Sequence, residues 1–166
     1  MIIIGIDPGT ATTGYGVIKA KKNQNKKELN CLGFGCINTS KDDEFVKRLS
    51  ILSKEVKKLV KKYNPDIVAV EKLFFFQNFK TAMRVSQAIG VVFLSLGQMK
   101  VSFIEYTPLE VKKFLTKKGR ADKKEVEKRV KKMLKIKESV GRDDTADALG
   151  IAIYAAHKVF FKSNKN

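Results

Sequence analysis

The sequence has few of the residues that build disulfide scaffolds or zinc sites. Of its 166 residues, two are cysteine, one is histidine and none is tryptophan. Cys31 and Cys36 lie in one predicted strand at an odd spacing, so their side chains are expected on opposite faces of a sheet. We therefore predict two reduced thiols, without a disulfide and without a cysteine-ligated zinc ion.

Long apolar segments and a basic leader are also missing. The longest apolar stretch, Ala88–Gly97, is about half as long as a membrane span. The apolar start of the chain carries no basic residues before it and runs directly into an acid, unlike a signal peptide. These features predict a cytoplasmic protein that does not enter a membrane.

Acidic residues are scarce beside basic ones. The chain has 17 Asp and Glu against 34 Lys and Arg, for a net charge of +17. Such an excess indicates a polyanionic partner, with nucleic acid as the first candidate and an anionic membrane surface as the second. Basic residues are densest between Lys112 and Lys137, a pattern that fits both a phosphate-binding surface and a lysine-rich face that is merely solvated.

Hydrophobic periodicity predicts three strands, a helix, a strand, a helix, a strand and further helices. The predicted strands are Ile2–Asp7, Gly14–Lys19, Leu29–Asn38, Asp66–Glu71 and Val101–Tyr106. The Lys-rich segment 19–28 is predicted as a turn. The first helix is expected to be capped by Asp42 or Asp43 and to stop at Asn64; the later helices are expected near 80–99, 108–115, 121–134 and 142–161.

This order predicts an α/β fold with a mixed five-stranded sheet, three antiparallel strands followed by two parallel ones, flanked by helices. We expect one domain over residues 1–161 and a frayed tail at 162–166. The helix that contains Val85–Leu96 is apolar around much of its surface. Its second face would contact either another copy of the chain, through a position such as Val92 or Phe93, or the C-terminal helices.

Two predicted strands end on an acid, Asp7 on the first and Glu71 on the fourth. Parallel pairing of these strands would bring both carboxylates to one end of the sheet. In "GRDDTADALG", at the start of the last helix, Asp147 shares a face with Asp144 by i, i+3 spacing and with Asp143 by i, i+4 spacing, so spacing does not choose between them. Carboxylates that converge in this way need cations between them, and two hard divalent ions about 4 Å apart suit phosphodiester hydrolysis.

The acids also fit roles that involve no metal ion. Asp143 or Asp144 would serve equally as a helix N-cap, and Glu71 would pair with a lysine. Asp7, with Gly9 and Thr10, matches the phosphate loop of actin-like kinases. Those proteins enclose a nucleotide between two such domains, whereas this chain has room for one.

Four segments in this order resemble the RuvC family of bacterial Holliday junction resolvases: "GIDPGTATTGYGVI", "AVEKLFFFQNFKTAMRVSQAIGVV", "YTPLEVKKFLTKKGRADKKEV" and "DDTADALGIAI". The resemblance implies a ribonuclease-H-like fold and a homodimer. It also implies an endonuclease that resolves four-way DNA junctions by paired symmetric nicks during recombination and repair, with two Mg²⁺ or Mn²⁺ ions in each site. RuvA and RuvB are implied as partners.

The same resemblance assigns roles to individual residues. The catalytic and metal-binding acids are expected to be Asp7, Glu71, Asp144 and Asp147, which favours Asp144 over Asp143. Phe74 is expected to stack on a base and Lys112 and Lys123 to support cleavage, while Arg120, in the basic segment, is a further candidate DNA contact. Lys72 departs from the family pattern, which commonly has Gln there.

Two alternative functions remain for a chain of this composition. One is a nuclease of the same fold that acts on another structured nucleic acid, as in RNA processing. The other is a basic DNA-binding module in which the acids have only a structural role. Nicking of a four-way junction, a linear duplex and an RNA hairpin, with and without Mg²⁺, would separate the three hypotheses.

Overall fold

The computed structural model describes residues 1–23, 26–73, 79–118 and 121–161. The strands in these ranges are β1 Ile2–Asp7, β2 Thr12–Asn23, β3 Lys26–Asn38, β4 Ile67–Glu71 and β5 Phe103–Tyr106. The helices are α1 Phe45–Tyr63, α2 Phe79–Gln98, α3 Pro108–Thr116, α4 Lys123–Leu134 and α5 Asp143–Ala155, which a π-helical turn, Ala156–Phe161, continues.

The strands form one mixed sheet in the order β3-β2-β1-β4-β5. β1 and β2 are antiparallel, as are β2 and β3, whereas β1 pairs with β4, and β4 with β5, in parallel. The central strand β1 is apolar on both faces because helices cover both sides of the sheet. The predicted fold class and strand directions are confirmed.

Alternation along β1 divides the core into two layers. Ile4 and Ile6 pack with α1 and α2 on one face of the sheet. Ile3 packs with α3, α4 and α5 on the other face. Gly5 also lies against α5, so Asp7, two residues further along the strand, falls on the α5 side.

The hairpin of β2 and β3 is longer than predicted. The segment 19–28 is not a turn, because pairing continues through Lys21 with Glu28 and Asn23 with Lys26. Exposed lysines are compatible with a two-stranded ribbon that has water on both sides, and the ion pair of Lys26 with Glu28, 3.5 Å, adds a contact within one strand. Residues 24 and 25, between the two strands, lie outside the described ranges.

The two cysteines lie on the same side of the sheet, contrary to the prediction. Cys31 packs against the cluster that contains α5, and the Cys36 Sγ is 3.2 Å from the Thr145 Oγ1 on α5. A β-bulge shifts the register opposite Val17 and Ile18, which reverses the alternation between the two cysteines. Both thiols are free.

The predicted cap of α1 is wrong, whereas its predicted end is correct. Glu44 occupies the N-cap position without a side-chain hydrogen bond, and Asp43 pairs with Lys47 instead. Asn64 ends the helix in the left-handed conformation, φ 43°, and its N–H donates to the Val60 carbonyl oxygen. None of the helices in the described ranges has the length and apolarity that a membrane crossing requires.

Candidate active site

Asp7 and Glu71 meet at one end of the sheet, as predicted. β1 and β4 run in parallel with Gly5 opposite Ala69 and Ile6 opposite Val70, so the next residue of each strand stands side by side. The two carboxyl groups share a hydrogen bond in which Asp7 carries the proton. Both face the side of the sheet that α5 covers.

Glycines let α5 come close enough to deliver its acids. A Cβ on Gly5 would overlap the carbonyl oxygen of Ala148, and a Cβ on Gly14 of β2 would overlap the carbonyl oxygen of Asp144. The backbone of α5 therefore lies directly against β1 and β2. The first turns of the helix carry Asp144 and Asp147 to the strand ends.

The acids strongly perturb one another. Burial, followed by the negative charge of Glu71, the hydrogen bond to Glu71 and the charge of Asp144, raises the pKa of Asp7 to about 9. Burial and then the charge of Asp7 raise the pKa of Asp147 to about 6. Burial likewise raises the pKa of Glu71, with Asp147 and Asp144 contributing repulsion. The protein alone does not neutralise this cluster.

Asp144, rather than Asp143, faces the strand ends. The charge of Asp144 acts on both Asp7 and Glu71. Asp143 is exposed, its Oδ2 accepts a hydrogen bond from the Lys123 Nζ at 3.0 Å, and its charge acts on Asp147. The geometry thus separates two acids that helix spacing left equivalent.

Lys112 and Lys123 both act on the acid cluster. The charge of Lys112 favours the ionised forms of Glu71 and Asp147, against the burial that dominates their pKa values. Lys123 acts in the same sense on Asp7 and Asp147, and its own pKa is raised, first by its hydrogen bond to Asp143. Two lysines selected by resemblance thus stand beside the predicted acids. Phe74 and Arg120 lie outside the described residues.

Arg48 holds the loop that follows Asp7, a role that sequence reasoning missed. Its side chain is buried, at 8% exposure, and donates from Nε to the Thr39 Oγ1 at 3.1 Å and from Nη2 to the Thr10 carbonyl oxygen. The Thr39 hydroxyl also donates to the Thr10 carbonyl oxygen, at 3.0 Å. The signal was present in the sequence, because Arg48 stands four residues before Leu52 on the apolar stripe of α1.

Arg142 was missed as well. Its Nη1 donates to the Thr12 Oγ1 and to the Asn38 Oδ1, both at 2.9 Å, and so joins the start of α5 to the ends of β2 and β3. An open groove of about 470 Å³ adjoins it, and Asp144 forms part of the lining. Only the long-range pairing of the strands brings these residues together, so no local pattern reveals them.

Comparison with known proteins agrees with this geometry. The family model described as "Crossover junction endodeoxyribonuclease RuvC" matches residues 3–157. The chain belongs to the RuvC family. It is 42% identical over 166 residues to the RuvC of Petrotoga mobilis, covering 100% of this chain and 98% of that one. Both the predicted family and the predicted enzyme class, a hydrolase that cuts DNA at crossover junctions, are confirmed.

Solved RuvC structures have the same fold. A structure of Thermus thermophilus RuvC superposes with a TM-score of 0.84 at 31% identity, covering 94% of this chain and 93% of that one. The T. thermophilus RuvC in complex with a Holliday junction substrate gives a TM-score of 0.83 at 29% identity, with the same coverage. RuvC membership favours the nuclease over the phosphate-loop alternative for Asp7.

The acid cluster has the ligand atoms that a divalent metal ion needs, although its carboxylates are not yet arranged around a single metal position. Within the described ranges, no three acidic, histidine or cysteine side chains are already arranged to hold a metal. The cluster nevertheless offers only carboxylate oxygens, the donors that Mg²⁺ and Mn²⁺ prefer, and burial together with mutual repulsion raises the pKa values of Asp7, Glu71 and Asp147. Side-chain rotations would be needed to complete the site.

Proposed function

We propose that this chain resolves four-way DNA junctions by paired symmetric nicks during recombination and repair, using Asp7, Glu71, Asp144 and Asp147 as ligands of two Mg²⁺ ions, with Mn²⁺ as a substitute. The observation that carries the proposal is the buried acid cluster where β1, β4 and the start of α5 meet. Members of this family are divalent-metal-dependent nucleases, and a neutralising metal resolves the electrostatic conflict within the cluster.

Each residue has a distinct task in this proposal. When bound, the ions activate a water molecule and stabilise the charge that develops on the leaving oxygen. Glu71 and Asp7 fix the position of the site, because they end adjacent core strands that cannot slide. Asp144 and Asp147 approach from α5, and Lys112 supplies positive charge beside them. Asp7 gives up its proton when the cluster binds a cation, because the cation favours the carboxylate.

We assign DNA binding to the basic residues of α3, α4 and the segment between them. Lys112 and Lys123 lie nearest the acids, and Arg120 is a candidate in the same segment. Phosphate contacts hold the substrate without reading its sequence. Stacking of Phe74 on an unpaired base remains a prediction from the resemblance.

We propose a homodimer formed through the exposed face of α2. Met83 and Leu94 are 67% and 61% exposed there, and Gly90 and Gly97 on the same face have open space around them. A helix face with glycines between exposed apolar side chains permits close helix pairing, and a two-fold dimer would match the symmetry of a four-way junction. Val92, one of the positions considered from sequence, is fully buried and belongs to the core instead.

A cytoplasmic location is part of the same proposal. A resolvase works where the chromosome is, and a bacterial cytoplasm keeps Cys31 and Cys36 reduced. RuvA and RuvB are expected partners because of the family resemblance.

Incubation with three substrates tests the proposed function. A four-way junction, a linear duplex of the same sequence and an RNA hairpin are each mixed with the protein in Mg²⁺ or in EDTA. We expect nicks at two symmetric positions of the junction, in Mg²⁺ only. Preferential cutting of the hairpin would favour the RNA-processing alternative, and binding of the junction without cutting would favour the non-catalytic module.

A further inference from the structure

The groove beside the acid cluster is lined in part by Arg142, a positively charged side chain that has no role in the function proposed above. This groove, of about 470 Å³, is lined by Thr12, Lys123, Gly141, Arg142, Asp143 and Asp144. It is open to solvent and shares Asp144 with the proposed metal site. A DNA strand whose scissile phosphate lies at the acids continues on either side of them. Basic side chains in the adjoining groove are therefore placed to contact a neighbouring phosphate of that strand.

The guanidinium of Arg142 is held in a fixed orientation. One nitrogen, Nη1, makes both of its hydrogen bonds, to the Thr12 Oγ1 and the Asn38 Oδ1. These acceptors belong to two paired strands, so neither can move far without the other. The Nε and Nη2 groups have no protein acceptor in the described part of the chain. Because Arg142 is exposed, these N–H groups are accessible to a ligand.

The charge of Arg142 is also uncompensated. Among the described residues, no carboxylate oxygen lies within 4.0 Å of a guanidinium nitrogen of Arg142, the limit for an ion pair. This holds although Asp143 and Asp144 directly follow Arg142 in the chain. Lys123, the other cation of the groove, is already paired with Asp143 at 3.0 Å. An oriented guanidinium with free N–H groups is the side chain best suited to a bidentate phosphate contact.

We propose that Arg142 binds a backbone phosphate of the DNA strand being cut, next to the scissile phosphate, and that Thr12 and Asn38 orient it for this contact. The inference rests on the proposed function, because it takes four-way DNA as the ligand. It concerns binding alone and needs no metal. It adds a phosphate contact on the α5 side of the acid cluster to those proposed on α3 and α4.

Salt-dependent binding tests the proposal. Fluorescence anisotropy would give the affinity for a labelled four-way junction in EDTA at several NaCl concentrations, for the wild type, Arg142→Gln, Arg142→Lys and Lys54→Ala. Gln retains a donor for Thr12 and Asn38 but has no charge. Lys54 is exposed on α1, across the sheet from α5, and is the matched control for loss of one charge.

We expect Arg142→Gln to weaken binding about five- to tenfold and to reduce the slope of log K against log salt by about 0.9 for each Arg142 in the complex. Arg142→Lys should keep most of the slope, and Lys54→Ala should keep both slope and affinity. Asn38→Ala, which keeps the charge and removes an anchor, should weaken binding about twofold with an unchanged slope. Thermal melting checks that every variant is folded.

Two results have different meanings. A folded Arg142→Gln protein with wild-type affinity and slope would overturn the phosphate contact, leaving Arg142 as a tether for the start of α5. A wild-type protein that does not bind the junction at all would instead contradict the proposed function.

Discussion

Asp7 is the residue at which burial and charge conflict most strongly. Its carboxyl group is buried next to Glu71 and near Asp144, and these causes together raise its pKa to about 9. The unfolded chain has no such environment, so its Asp7 titrates near the ordinary value. Between these two pKa values the folded protein holds a proton that the unfolded chain has released.

The first prediction concerns stability without metal. Because the folded state binds more protons between about pH 4 and pH 9, the free energy of unfolding falls as pH rises through this range. Asp7→Asn removes this penalty and is expected to stabilise the metal-free protein by about 2–4 kcal/mol at pH 8, with little effect near pH 4. Urea unfolding in EDTA at both pH values measures it.

The exposed Asp42 supplies the control for that experiment. Asp42→Asn is expected to leave the free energy of unfolding unchanged at both pH values. Equal stability of Asp7→Asn and the wild type at pH 8 would show that the acid cluster is not in electrostatic conflict.

The second prediction separates the two adjacent acids at the start of α5. Asp144 acts on Asp7 and Glu71, whereas Asp143 pairs with Lys123. Asp144→Asn should slow junction cleavage in Mg²⁺ on the order of a thousandfold, while Asp143→Asn should slow it less than about tenfold. Single-turnover cleavage measures both rates, and a larger loss for Asp143→Asn would reverse the assignment.

At the scale of elements, the site depends on how closely α5 lies against the sheet. Gly14 has no Cβ, and any Cβ there would overlap the Asp144 carbonyl oxygen. The same holds for Gly5 and Ala148. The helix therefore reaches the strand ends only because two strands lack side chains where it crosses them.

The third prediction follows from this close approach. Gly14→Ala should push the start of α5 away, destabilise the protein by about 1–3 kcal/mol and slow cleavage about tenfold or more. The rise in melting temperature on adding Mg²⁺ should shrink in parallel. Gly33→Ala is the matched control, because its Cβ would meet only the tip of the Tyr63 side chain on the other face. Full activity of Gly14→Ala would show that the acids do not depend on the close approach of α5.

Local patterns predicted some elements of the site and could not predict others. Apolar runs that end on Asp7 and Glu71 identified the central strands, because burial on both faces leaves a clear composition. The bulge that brings Cys31 and Cys36 to the same side has no local signature, since it depends on pairing with β2. The hydrogen bonds of Arg142 to Thr12 and Asn38 could not be predicted from the sequence for the same reason, since they also depend on the pairing of β2 with β3. The choice of Asp144 needed either the resemblance or the structure.

At the scale of the whole molecule, one chain presents one acid cluster, and a junction has two equivalent strands to cut. The exposed face of α2 that carries Met83 and Leu94 is the surface that we propose for contact with a second copy. Two sites related by a two-fold axis would be carried at a fixed separation by such a dimer.

The fourth prediction tests this assembly. Leu94→Glu should give a monomer, because it places a charge at the centre of the proposed contact, and paired incision of a junction should be lost while the chain stays folded. Val46→Glu is the matched control, since Val46 is 72% exposed on α1. Sedimentation velocity measures the size of both. A wild-type monomer at concentrations that give symmetric cutting would contradict the dimer.

The acids are proposed to cut the junction and the basic surface to bind it, and Glu71→Gln separates these two roles. Cleavage and binding of one four-way junction are measured for this variant beside the wild type. We expect cleavage in Mg²⁺ to fall by on the order of a thousandfold, while the dissociation constant in EDTA stays within about threefold. A Glu71→Gln protein that binds normally and cuts at a near wild-type rate would contradict this division of roles, because Glu71 would then have no part in the chemistry.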